Sequence, residues 1–172
     1  MTLLNVEPAV VRGELKLYSC PKNYCQQVEW FLSDLLKIDF DIKWNPQPIA
    51  PKTMSMHLEW IGPVGLGSRI VSTLSKWPNI RLEVLQKNFM DLPAERYAHC
   101  PNLGIFRAEM NSMGETIITE SRIKAALDRS QIENEQFEIE LAFLLGVPWD
   151  DDLEPFRSSY VNSNLYWINK TG

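Results

Sequence analysis

Four stretches of the sequence alternate apolar and polar residues with a period of two, and this constrains the fold more than any other feature. Leu15 and Leu17 alternate with Glu14, Lys16 and Tyr18; Phe40, Ile42 and Trp44 alternate with Asp41, Lys43 and Asn45. Met54, Met56, Leu58 and Trp60 alternate with Ser55, His57 and Glu59, and Ile80, Leu82 and Val84 with Arg81 and Glu83. Successive side chains of a strand point to opposite faces, so each stretch predicts a strand with one buried and one wet side. Continuous apolar strands, as in a parallel sheet covered on both sides, are absent.

Two stretches of helical spacing interrupt the strands. Val28, Phe31, Leu32, Leu35 and Leu36 recur at intervals of three and four behind Pro21, and Ile70, Val71, Leu74 and Trp77 repeat the pattern. Between the second and third strands, "NPQPIAP" is a stiff connection, because proline fixes φ and lacks a donor. The order is β-α-β-β-α-β. The expectation is an α+β fold with a ferredoxin-like core over residues 12–92, its sheet covered by two helices on one face and open on the other.

The register changes after residue 92. "ERYAHC" and "LGIFRAEM" predict two short strands around a "PNLG" turn, and "NSMG" leads into a third at "ETII". Thr119 suits the start of a helix holding Ile123, Ala126 and Leu127. A second helix carries Phe137, Leu141, Phe143 and Leu144, and Gly146 with Pro148 ends it. "NLYWINK" reads as a last strand. Residues 93–172 are thus expected to form a β-hairpin and two-helix extension packed on the core as one compact unit.

With 172 residues the chain buries roughly 70% of its unfolded surface and needs no covalent staples. A net charge of −5 without a basic stripe argues against nucleic acid as a partner. "MTLLNVEPAVVRG" lacks the pattern of a signal peptide, and "LAFLLGVPW" is too short to span a bilayer, so no membrane association is expected. Three cysteines, Cys20, Cys25 and Cys100, argue against a disulfide framework and for a cytoplasmic location. They also lack zinc-site spacing, and neither metal nor cofactor is expected. Six tryptophans imply large rigid pieces in the core or at interfaces.

Candidate chemistry is sparse. "WIGPVGLGSR" places Gly62, Gly65 and Gly67 ahead of a helix, with Ser68 and Arg69 beside them. It lacks the lysine of a Walker loop, and its antiparallel setting is wrong for a dinucleotide fingerprint. Two readings stay open: a tight strand-to-helix turn, which is favoured, or an anion site built from Gly65, Gly67, Ser68 and Arg69. On the wet face, His57 beside Glu59 suits a general base, although a solvated sheet face explains the same residues. Asp150, Asp151, Asp152 and Glu154 in "WDDDLEPFR" lack the spacing of a calcium loop, and acidic residues opening a helix are the plainer reading.

"QQVEW", "WNPQPIAP", "LEWIGPVGLGSR", "LGIFRAEM" and "WDDDLEPFR" resemble, in the same order over nearly the whole chain, an uncharacterised actinobacterial family catalogued as a domain of unknown function. The family pattern has Cys-Pro-His before Val-Glu-Trp, whereas here Cys25 precedes Gln26 and Gln27. That departure leaves no histidine to carry a role at this point and leaves the role of Cys25 open. The resemblance implies a link to lipid metabolism, since some members are encoded near fatty-acid synthesis genes.

Two functions are expected from these residues. The first is a non-enzymatic ligand-binding, regulatory or protein-interaction module that meets a small anionic ligand or a protein partner. The alternative is a small enzyme acting on an anionic or phosphorylated substrate through His57, Glu59 and the Gly62–Arg69 loop. Homodimerisation through a strand edge or the C-terminal helices is a further expectation.

Overall fold

The computed structural model describes residues 10–39, 41–88, 93–133 and 136–168. Its elements are β1 (Val10–Pro21), a short 3-10 turn at Lys22–Tyr24, α1 (Cys25–Leu36), β2 (Asn45–Pro46), β3 (Thr53–Pro63), α2 (Leu66–Leu74) and β4 (Arg81–Lys87). Then follow β5 (Ala94–Cys100), β6 (Gly104–Met110), β7 (Thr116–Ile117), α3 (Glu120–Glu133), α4 (Phe137–Leu145) and α5 (Val147–Ile168). One antiparallel sheet of seven strands, ordered β2-β3-β1-β4-β5-β6-β7, organises the molecule.

The first four strands lie in the order expected of a ferredoxin-like arrangement, with β1 between β3 and β4. The second strand is much shorter than its alternation suggests. Only Asn45 and Pro46 pair, with Ser55 and Met54, and residues 41–44 stay outside the ladder. Phe40 lies outside the described residues. Beyond β4 the sheet continues without a break into the β5-β6 hairpin and β7.

Under one face lies the larger core. Leu15, Leu17, Leu32, Ile70, Leu74, Ile80, Leu82 and Val84 are fully buried there between the sheet and helices α1 and α2. The apolar stripes of both helices therefore point as their spacing dictates.

The other face is open only over part of its width. Tyr18, expected on the wet side, is 4% exposed and sits in a second apolar cluster with Ala98, Cys100, Phe106, Trp149, Leu153 and Phe156. Helix α5 packs across β1 and β5 and covers Tyr18 there.

Helix α5 is the main departure from expectation. "WDDDLEPFR" opens a helix of 22 residues that runs through Pro155 and includes most of "NLYWINK", so no last strand forms at 164–168. Asn169 and Lys170 lie outside the described residues. Trp149, Leu153 and Phe156 fall at spacings of four and three, giving one apolar stripe that seals the sheet. Helix α4 ends at Gly146, as expected. Among the described residues no helix is long and apolar enough to cross a membrane.

Candidate functional site

The polar face retains an open region where β3, β1 and β4 run side by side. Lys16 pairs with His57 and Glu83 in register, and Glu14 with Glu59 and Leu85. The expected His57–Glu59 couple does not form. The imidazole Nε2 of His57 instead lies 2.8 Å from Glu14 Oε1, which Lys16 Nζ also approaches at 3.1 Å. Glu14 stands diagonally across from His57, two residues along β1 from its direct register partner Lys16, and is within reach of the long side chains on that face.

Next to this triad a cleft of about 630 Å³ crosses the ends of the same three strands. Arg12, Glu14, Glu59, Ile61, Leu85 and Lys87 line it, together with Gly13, Trp60, and Leu36 and Ile38 from the end of α1. Arg12 stands opposite Ile61 on one side and Lys87 on the other. Trp60 is 4% exposed, and its indole Nε1 has no hydrogen-bond partner among the described residues. Gly13, its register partner, lies against the indole; a β-carbon there would overlap the ring. The glycine is a packing requirement for the tryptophan.

The glycine loop lies on the opposite side of the sheet. Gly65, at φ 91°, takes the left-handed conformation that precedes α2. Gly67 is buried; its amide donates to Gln86 Oε1 at 3.1 Å, and a β-carbon there would press on Gln86 and Val84. Both partners belong to the core side of β4, whereas His57 and Glu59 stand with Glu14 on the polar side. Ser68 and Arg69 are exposed. The structure thus brings Gly65, Gly67, Ser68 and Arg69 together at one helix start and separates them from His57 and Glu59.

A half-buried ionic cluster, not anticipated from the sequence, joins α5 to the sheet. Glu83 accepts from Tyr18 Oη at 2.7 Å, from Arg96 at 2.9 Å, and from Arg157 at 3.0 and 2.5 Å. Asp150 accepts from the same two arginines at 2.5 and 2.7 Å. Burial pushes the Glu83 carboxyl up, but hydrogen bonds from Arg157 and Tyr18, with the nearby guanidinium charges, outweigh it and hold the carboxyl below the usual range. Burial, then the Glu83 charge, pushes the Tyr18 phenol far up.

Two further acidic residues of α5, Asp152 and Glu154, are also engaged. Asp152 accepts from Arg81 Nε at 2.7 Å, and Glu154 lies 3.6 Å from Arg157. Among the described residues no group of three or more His, Cys, Asp or Glu is placed to hold a metal ion.

The cysteines are free. Cys25 opens α1, and its thiol lies 3.9 Å from the carbonyl of Pro21, which Cys20 Sγ approaches at 3.5 Å. Burial raises the pKa of both thiols, which suppresses thiolate chemistry. Cys100 is pushed up to about 12, first by burial and then by Asp152.

No curated protein matches the sequence. The chain is similar to the apo structure of LarC2, the C-terminal domain of a cyclometallase involved in the synthesis of the NPN cofactor of lactate racemase. The TM-score is 0.27 and the identity 11%, over 83% of this chain and 97% of that one, a likeness too weak to carry an argument. The family model described as "Protein of unknown function (DUF3145)" matches residues 15–170, and the chain belongs to that family.

Proposed function

We propose that the protein is a non-enzymatic binding module of the cytosol, and that the cleft beside Trp60 is its ligand site. One observation carries this reading. The cleft holds about 630 Å³, within the range of small-molecule sites, and combines apolar side chains with a few charged groups. None of its lining residues is a cysteine, serine, threonine or histidine, so neither a hydroxyl or thiol nucleophile nor an imidazole base lines it. His57 is held by Glu14 outside the cleft lining, which weakens the enzymatic alternative.

Thermal-shift screening against nucleotides, acyl-coenzyme A and carrier protein tests the proposal. Acyl-coenzyme A and carrier protein are included because of the link to lipid metabolism implied by the family resemblance. The expected outcome is a saturable rise in Tm with at least one small ligand, reduced in a Trp60→Phe variant. A screen in which none raises Tm contradicts it.

A second reading, self-association, rests on α4. Its sequence "FEIELAFLL" is apolar on nearly every side, yet only Leu144 is buried; Ile139 and Phe143 are 47% and 46% exposed. A helix that is apolar all round is normally enclosed, and a second copy of the chain is the proposed cover. Light scattering of the wild type and a Phe143→Glu variant distinguishes monomer from dimer.

A further inference from the structure

The cleft carries more information than its size, because its charges are unevenly arranged. Arg12 and Lys87 stand directly opposite each other on β1 and β4. Like charges in that relation oppose strand pairing. Among the described residues neither cation has an ion-pair or hydrogen-bond partner, although the chain as a whole carries excess acid.

The carboxylates of the same cleft do not relieve the pair. Glu14 is occupied by His57 and Lys16. Glu59 lies in the neighbouring cross-strand row, opposite Glu14, where it repels an anion from that end. The positive end is therefore the row of Arg12 and Lys87. Beside it lie Ile61, 58% exposed, and Ile38, 52% exposed, with Leu85 and the indole of Trp60.

Resting on the reading of this cleft as a ligand site, we infer that its ligand is an apolar anion: a carboxylate or phosphate headgroup between Arg12 and Lys87, carried on an apolar body against Trp60, Ile61 and Ile38. A guanidinium and an ammonium ion on adjacent strands suit an oxyanion, the first through its planar fork and the second as a point charge. The apolar side chains favour a body that leaves water on binding.

The test is an NMR titration of the full chain with decanoate, decyl phosphate, decan-1-ol, decylamine and inorganic phosphate, each below its micellar concentration. At least one anionic amphiphile should saturably shift the Gly13 amide and Trp60 indole resonances, about tenfold more tightly than decan-1-ol, a difference of about 1.4 kcal/mol. Comparing decanoate with decyl phosphate identifies the preferred headgroup. An Arg12→Met, Lys87→Met double variant, which keeps the apolar stems, should fold normally and lose the tenfold margin.

Equal or tighter binding of decan-1-ol or decylamine in the cleft overturns the anion assignment and leaves the cleft a ligand site. Inorganic phosphate binding as tightly as the amphiphiles removes the apolar body. Retention of the margin in the double variant removes Arg12 and Lys87 from the headgroup site. If no amphiphile or phosphate shifts the cleft resonances, the inference fails, and the thermal-shift screen separately decides whether the cleft binds anything else.

Discussion

Glu83 on β4 and Arg157 on α5 are 74 residues apart and are joined by two hydrogen bonds of 3.0 and 2.5 Å. Arg157 also reaches Asp150, and Arg96 bridges the same two acids, so the sheet and α5 share one charge network. The side chains of Glu83 and Arg96 are 17% and 14% exposed. Removing one partner from such a network leaves an uncompensated charge partly withdrawn from water.

Glu83→Gln should therefore destabilise the fold by about 3 kcal/mol, which lowers Tm by roughly 10 °C for a chain of this length. Arg157→Lys keeps a charge but loses the planar fork, and should fall between the wild type and Glu83→Gln. Thermal melts followed by circular dichroism measure both. A Glu83→Gln protein as stable as the wild type refutes the network as the clamp on α5.

The same carboxyl sets an acid limit. Its folded pKa is depressed below the ordinary 4.5. A depressed acid stabilises the fold fully above the unfolded pKa and loses that contribution as pH falls through the folded value. The Tm gap between wild type and Glu83→Gln should thus be constant from about pH 6 to 8 and shrink below about pH 4.5. At the alkaline end, the raised pKa of Tyr18 makes the unfolded chain ionise first, so its contribution fades above pH 10. A gap that does not change between pH 7 and pH 3 contradicts this account.

Gly13→Ala should destabilise the protein by about 1–3 kcal/mol, the usual range for overpacking, because its methyl group would overlap the Trp60 ring. A paired Gly13→Ala, Trp60→Leu variant frees the space and should recover part of the loss. Denaturant midpoints at constant slope report the difference. Full additivity of the two changes would show that glycine and indole do not interact.

Local pattern made much of this architecture legible. Leu15, Leu17, Leu82 and Val84 are buried as their alternation requires, and Val28 and Leu32 sit on the inner stripe of α1. Gly146 stops α4 where expected. The ionic cluster was hidden because it depends on pairings across 54 to 74 residues, which periodicity does not encode. One local clue did exist. Trp149, Leu153 and Phe156 form a helical stripe with Asp150 and Arg157 alongside, two turns apart. Arg12 and Lys87 were equally invisible, since only strand register brings them opposite each other.

The glycine loop yields the last prediction. Gln86 is fully buried; its Oε1 accepts from the Gly67 amide, while its Nε2 donates to Glu95 at 3.1 Å and to Asn88 at 3.2 Å. Gln86→Leu strips the Gly67 amide of its acceptor and should cost about 1–3 kcal/mol, the penalty of one unsatisfied buried polar group. The amide proton of Gly67 should exchange faster relative to its helix neighbours. Gln86→Glu keeps an acceptor but places a second carboxylate beside Glu95, so it should be less stable than Gln86→Leu at pH 7 and recover at pH 5. Denaturation at the two pH values, with hydrogen exchange at Gly67, separates these effects. Wild-type stability in Gln86→Leu would mean that this amide does not depend on Gln86, and the start of α2 would then have a donor to offer an anion.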